Sequence, residues 1–325
     1  MDKGQALFIK NIFSFLLEAT SSTDQTEFNK LAQKLNNYQK KYAGQSLLSE
    51  DKLRTEKLYR RMPITTILYR ISLTLGIVTL ILGIFYTKSS KVVRFAKNLM
   101  YFNMLGAFLL LCISISLKTY IVGHFPLTNG YDTMIFLGWS ITLICLLLHK
   151  RMPFLNIMAT LLLGFSMLVA TLGSLNPQIT NLIPVLNSPF LTSHVCLIML
   201  SYTLFAFTFM NAIFYFFTKD SSTLLRLTVY SRLFLYIAIA FLAIGIFIGA
   251  VWANHSWGRY WAWDPKEVWA LITMLVYSFP LHTKSLQSFK NDTVFHLYMI
   301  FAFSTVIMTY FGVNFFLGGM HSYVN

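Results

Sequence analysis

Charge is what this chain has least of. Asp, Glu, Lys and Arg make up 12% of its 325 residues. A soluble globular domain carries roughly a quarter, and the shortfall excludes a water-soluble fold. Acidic residues are the scarcer sign, 12 against 26 basic. The resulting formal charge of +14 is not gathered into a phosphate-binding face. Past the first apolar run the basic residues sit mainly in short connections, so nucleic acid is not an expected partner. Cysteine is nearly absent too. Cys112, Cys145 and Cys196 stand in apolar stretches with no CxxC pair, which excludes redox chemistry carried by the chain's own thiols and reads as small buried hydrophobes. The sequence has no internal repeat, and no Lys- or Arg-led signal peptide with a small-residue cleavage site is expected.

What is abundant is apolar surface, with 56% hydrophobic residues and a mean hydropathy of +0.59. From residue 62 onward apolar stretches follow one another, each long enough to cross a hydrocarbon core that takes about 20 helical residues. The expected fold is all-α, a polytopic transmembrane helical bundle of about eight spans at 64–86, 98–121, 131–148, 155–174, 191–217, 230–251, 267–282 and 294–314. Lys88, Lys91, Arg94 and Lys97 follow the first span, Lys150 and Arg151 the third, Lys219, Arg226 and Arg232 the fifth, and Lys284 and Lys290 the seventh. By the positive-inside rule these connections are cytoplasmic. Residues 122–130, 175–190 and the tail after Phe315 are almost devoid of positive charge, and Arg259 and Lys266 are the departure on that side. Both termini are thus expected on the external face.

Residues 1–61 are different in kind, polar and basic with one apolar cluster from Ile12 to Leu17. Leu31, Leu35 and Tyr38 fall on a helical spacing, and Ser49 is placed to cap Glu50–Tyr59. Two or three short amphipathic helices outside the bilayer are expected, an extracytoplasmic segment preceding the membrane domain 62–325.

Five of the six tryptophans lie between 252 and 269, in VWANHSWGRYWAWDPKEVWAL. Trp257 and Trp261 are four apart, a spacing that suits one helical face, with Trp263 close behind and Gly258 allowing a flat partner to approach the backbone. Trp252, Asn254, Asp264 and Glu267 belong to the same segment. An interfacial aromatic belt is the ordinary reading of membrane tryptophans. Belts, however, are spread over many helices, whereas this cluster occupies one connection beside two carboxylates that need hydrogen-bond or cation partners, with Asn254, Arg259 and Lys266 nearest in sequence. A planar macrocycle with charged edges suits the set.

Three of seven histidines stand at informative places. His194 opens the fifth span on the external side, and His321 lies in the external tail in GGMHSY. Imidazole is a suitable axial ligand for haem iron. His282 closes the seventh span on the cytoplasmic half, where an ionisable side chain is a functional candidate and a helix C-terminus equally tolerates it. His124, His149, His255 and His296 read as loop or interface residues, His255 being the rival ligand because it lies inside the tryptophan segment.

Trp257-Gly-Arg-Tyr-Trp-Ala-Trp-Asp-Pro-Lys-Glu267 resembles the WWD signature of the haem-handling proteins of cytochrome c maturation. The match through Trp269-Ala-Leu-Ile, Leu281-His-Thr-Lys, Gly312-Val-Asn and His321-Ser-Tyr is similar to the CcsA branch, over residues 98–325. GHFPLTNGYD resembles that family's external loop before the third span, and Tyr38-Gln-Lys-Lys-Tyr and Glu56-Lys-Leu-Tyr resemble the stretch preceding CcsA in Bacteroidetes-type CcsB-CcsA fusions. His255 and Val268 depart from relatives that often carry an acidic residue and a threonine there.

The resemblance implies that His194 and His321 ligate an external haem b (iron protoporphyrin IX) at the WWD segment. It also implies that His282 serves a second, embedded haem position whose opposite ligand comes from a CcsB-like membrane protein. The implied activity is a cytochrome c synthase of haem lyase type: haem passes outward and its vinyl groups meet the CxxCH thiols of apocytochrome c, which a thiol-reducing partner keeps reduced. The implied location is the bacterial inner membrane. A CcmC- or CcmF-like delivery or ligation component is the alternative within the superfamily, and an ion-coupled transporter with an aromatic gate the alternative outside it. Topology is testable directly, because cysteines placed at Gly123 and at Ser89 are expected to label from opposite sides of the membrane. Labelling of both from one side would refute the charge-based assignment.

Overall fold

The computed structural model describes residues 3–21, 25–42, 49–85, 91–152, 154–172, 179 and 186–317, and every regular element among them is helical. The chain divides into two units, Met1–Leu58 and Tyr59–Asn325.

The first unit holds α1 (Lys3–Ser21), α2 (Gln25–Tyr42) and the start of α3 (Glu50–Arg61). Ser49 caps α3 by accepting from the Lys52 N–H at 3.3 Å. Glu50 and Asp51 in the first turn and Arg60 and Arg61 in the last complement the helix dipole. The Lys40–Glu50 ion pair, at 3.0 Å, is exposed on both sides and adds little.

The second unit continues with α4 (Ile64–Phe85), α5 (Lys91–Val122), α6 (Gly130–Leu148), α7 (Leu155–Thr171), α8 (Pro189–Phe217), α9 (Ser221–Trp257), α10 (Pro265–Ser278) and α11 (Asp292–Ile307), the last running on as a π-helical stretch, Met308–Leu317. Among the described residues, six helices are long and apolar enough to cross a membrane: Glu50–Leu82, Arg94–Val122, Gly130–Leu148, Pro189–Phe217, Ser221–Trp257 and Asp292–Leu317. This is fewer than the eight spans expected. Of the expected spans not among them, α7 and α10 have 17 and 14 residues, about 25 and 21 Å at 1.5 Å per residue against a core of about 30 Å. The expected span 267–282 is cut short by Pro280, which has no N–H to donate. The α-helix ends at Ser278, a 3₁₀ turn spans Phe279–Leu281, and His282 follows it outside any helix.

Lipid tails are as apolar as a helix face, so helices in a bilayer associate through close packing and interhelical hydrogen bonds. The antiparallel pair α8–α9 illustrates this: the Ser201 hydroxyl donates to the Ala238 carbonyl at 2.8 Å. Next to it Phe205 of α8 stacks on Tyr277 of α10 with centroids 3.7 Å apart.

One charged contact lies deep in the unit. Lys118 of α5 and Asp132 of α6 form an ion pair and are 4% and 2% exposed. The preceding tract of sequence builds its surroundings. Asn129 caps α6 by accepting from the Asp132 N–H at 2.9 Å, Thr128 donates to Asp132 Oδ2 at 3.4 Å, and the Lys118 ammonium lies 5.6 Å from the Tyr131 ring centre. Removing one member of such a pair strands a buried charge, which costs about 3–5 kcal/mol, whereas apolar replacement of both is far milder. Lys118→Met is therefore expected to lower stability in a detergent unfolding titration, and Asp132→Leu added to it to restore most of the loss. A double variant as unstable as the single one would show that the charge pair is not the cause.

Candidate functional site

The tryptophan segment is built by two helix ends. Helix α9 runs to Trp257 and stops because Gly258 takes a left-handed conformation, φ 73°, with its N–H donating to the Asn254 carbonyl at 2.9 Å. Trp257 and Trp261 therefore do not share a helical face, since the chain between Gly258 and Asp264 is a loop. Helix α10 restarts at Pro265 with Asp264 as its cap. Asp264 Oδ1 accepts from the Lys266 N–H at 3.0 Å, and Glu267 Oε2 accepts from the N–H groups of Asp264 and Ala262 at 3.2 and 2.8 Å. This is a capping box. The two carboxylates thus hydrogen-bond the backbone of their own loop.

Trp263 sits between the two amides that Glu267 clamps, with φ 57° and 74% of its surface exposed. A non-glycine residue in the left-handed region costs roughly 1–2 kcal/mol. The rings form two edge-to-face pairs rather than one flat shelf. Trp252 meets Trp257 at 4.9 Å and 68°, and Trp261 meets Trp263 at 6.0 Å and 88°.

Beside this loop lies a cavity of about 580 Å³, within the range of small-molecule sites. It brings together four residues singled out from sequence, His194, Trp252, Trp261 and Glu267, and adds Lys266 and Asn314 among others. His194 projects from α8 onto α9, where its Nδ1 lies 2.7 Å from the Gly245 carbonyl. A carbonyl only accepts, so Nδ1 carries the proton and Nε2 carries the lone pair of the neutral ring. Metal-bound histidines commonly have one ring nitrogen fixed by a carbonyl in this way. The ring fits because α9 has glycine there: a Cβ at Gly249 would lie 2.6 Å from His194 Nδ1.

Lys266 faces the same cavity and donates from Nζ to Asn314 Oδ1 at 2.9 Å, while Asn314 Nδ2 donates to the Tyr310 carbonyl at 2.7 Å. Burial pulls the Lys266 ammonium down to about 8, with the Asp264 carboxylate opposing the shift.

Trp257, Trp263, Asp264, Asn254 and Gly258 are not among the described residues lining the cavity, although Trp257 and Trp263 touch tryptophans that are. His255 is exposed in the last turn of α9. His282 is likewise exposed at the surface of this chain, its carbonyl accepting from the N–H groups of Ser285 and Leu286. His321 lies outside the described residues. The sequence reading missed the role of Gly245 and Gly249, four apart in an apolar helix. That small-xxx-small spacing is a known signal for close helix approach.

Residues 127–321 match the family model described as cytochrome c assembly protein. The chain is 38% identical over 301 residues to the protein NrfI of Wolinella succinogenes, covering 88% of this chain and 33% of that protein. It is 31% identical over 290 residues to the cytochrome c biogenesis protein CcsA of Guillardia theta, covering 78% of this chain and 93% of that one. The chain belongs to the cytochrome c assembly family. Its function accordingly falls in cytochrome c biogenesis. A solved structure of the cytochrome c haem lyase CcmF shares the fold, with a TM-score of 0.55 at 21% identity, over 77% of this chain and 47% of that one. The chain thus spans a third of NrfI and about half of CcmF.

The packing of His194 on Gly249 gives a test independent of activity. Gly249→Ala is expected to lower the unfolding temperature in detergent, and His194→Gly in the same chain to remove that loss, because the clash needs both partners. Additive losses would mean that the ring is not what the glycine accommodates.

Proposed function

We propose that the chain carries out the haem-handling step of cytochrome c synthesis, receiving haem as substrate at the cavity beside the tryptophan loop and presenting it to apocytochrome c for covalent attachment. The observation that carries this reading is His194, fixed through Nδ1 to the Gly245 carbonyl while facing a cavity of about 580 Å³ walled by Trp252 and Trp261. An imidazole in that tautomer suits an axial site on iron, and the aromatic and aliphatic walls suit a porphyrin face. Haem supplies the iron and the vinyl groups. The residues of the chain hold and orient it and exclude oxidants, while close placement brings the CxxCH thiols to the vinyl carbons.

The second axial ligand in this reading is His321. It follows Phe315, which lines the cavity, by six residues, a chain length that reaches at most about 20 Å. His282 serves a second haem position completed by a histidine of a CcsB-like membrane protein. Its exposure in this chain supports a ligand completed from outside. The proposed setting is the bacterial inner membrane, crossed by eight spans once α7 and α10 are included, with the 252–266 loop, residues 1–61 and both termini on the periplasmic side. The likeness of Tyr38-Gln-Lys-Lys-Tyr to Bacteroidetes-type fusions belongs to the same proposal, as does a thiol-reducing partner for the apocytochrome.

Replacing His194 or His321 by glycine is expected to abolish attachment of haem to a reporter apocytochrome while leaving the protein folded. Added imidazole is expected to recover part of the activity by occupying the vacated space. His255→Gly is expected to remain active. Full activity in either of the first two variants, or a loss confined to His255→Gly, would overturn the ligand assignment.

A further inference from the structure

A buried ion pair can often be replaced by apolar side chains of similar volume without loss of stability, and charged groups within membrane helices are rare and point to function. Net stability alone therefore does not account for Lys118 and Asp132, 4% and 2% exposed. What they hold is the tract that opens α6. Neither is among the described residues lining the cavity beside the tryptophan loop, yet Leu127, Thr128, Asn129, Gly130 and Thr133, on both sides of Asp132, all line it. The pair stands behind one wall of the cavity.

The Asp132 carboxylate is where that wall is tied. Its Oδ1 accepts from the Lys118 ammonium and its Oδ2 from the Thr128 hydroxyl at 3.4 Å, while the Asp132 N–H donates to Asn129 Oδ1 at 2.9 Å. One residue on, the Thr133 hydroxyl donates to the Gly130 carbonyl at 2.9 Å. Its proton thus committed, Thr133 Oγ1 accepts from the Tyr310 hydroxyl at 2.6 Å. Tyr310 belongs to the π-helical stretch and lines the same cavity, together with Phe311, Asn314 and Phe315. Helices of this kind are rare and recur at functional sites. A line of contacts thus runs from α5 through the start of α6 to the π-helical stretch, by way of Lys118, Asp132, Thr133 and Tyr310.

We propose that Lys118 and Asp132 are a positioning pair for the cavity. By fixing the first turn of α6 to α5 they set where Thr133 holds Tyr310, and so how far the α6 wall stands from the π-helical wall. The inference rests on the reading of the cavity as a haem site and adds to it the device that sets its width. A rigid planar macrocycle gains contact on both faces only when the walls stand at one separation, and in a bilayer no hydrophobic force closes a gap between helices. Neither residue touches the substrate, and both act through the wall.

The test separates stability from geometry. Ferric haem b is titrated into the full chain purified in detergent and read at the Soret band, and the unfolding temperature is measured on the same samples. Lys118→Met combined with Asp132→Leu is expected to unfold near the wild-type temperature and yet to bind haem about tenfold more weakly, roughly the worth of one aromatic contact. Tyr310→Phe is expected to weaken binding likewise, and adding it to the apolar pair to cost little more, because both changes release the same wall. Wild-type affinity in the apolar pair, or additive losses in the combined variant, would overturn the proposal while leaving the haem site intact. Should the apolar pair be unstable, Thr133→Val is read in its place by the same two criteria, since it breaks the same line of contacts with no charge involved. His194→Gly distinguishes the two levels. A haem affinity indifferent to it would refute the cavity as the haem site, and the inference with it.

Discussion

The seam between α8 and α9 is the constraint on which the rest of the site depends. A helix carbonyl in a bilayer already accepts the N–H four residues on, yet it keeps a second lone pair. The His194 ring uses that lone pair on Gly245. This requires the two backbones to approach closely, and Gly245 and Gly249 permit it. A Cβ on Gly245 would come within 2.9 Å of the Ile198 side chain, and one on Gly249 would run into the imidazole. The same contact thus joins two helices, selects the tautomer of the histidine and sets one wall of the cavity. Lipid supplies no hydrophobic force to close a gap between helices, so loss of this fit would displace the ring rather than compress the bundle.

The tryptophan loop answers a different requirement. Its sequence reads as a row of aromatic surface, but its first task is to end one helix and begin another within a few residues. Gly258 ends α9 and the Asp264–Glu267 capping box begins α10. The two carboxylates hold amides of the loop, and the clamp on both sides of Trp263 keeps that residue in its left-handed conformation. The right-angled ring pairs follow from this turn. A flat shelf would need the aromatics in regular register, which a loop bounded by two caps does not provide.

These particulars explain what could be read from the residues and what could not. The apolar runs located the membrane helices, because length and composition alone decide whether a helix can remain in lipid. They did not reveal that Pro280 would end α10 at Ser278, or that 14 residues fall short of the hydrocarbon thickness. His194, Trp252 and Trp261, singled out by residue type and position, meet at one cavity. The partners of Asp264 and Glu267 were not, since proximity in sequence to Arg259 and Lys266 says nothing about which atoms a capping geometry will engage. Nothing in the sequence pairs Lys118 with another residue. Its partner Asp132 lies across a turn, and only the packing of α5 on α6 brings the two together.

The contrast between His194 and His282 carries the argument furthest. His194 is oriented entirely by this chain: a carbonyl fixes one nitrogen, a glycine admits the ring and a cavity receives its edge. His282 has no such frame. It follows a 3₁₀ turn interrupted by Pro280 and stands exposed. An imidazole that must hold iron in one place needs its other nitrogen or its ring face constrained by a neighbour. In the proposed function the two histidines therefore differ: His194 is oriented by groups of this chain, whereas the orientation of His282 would come from a partner.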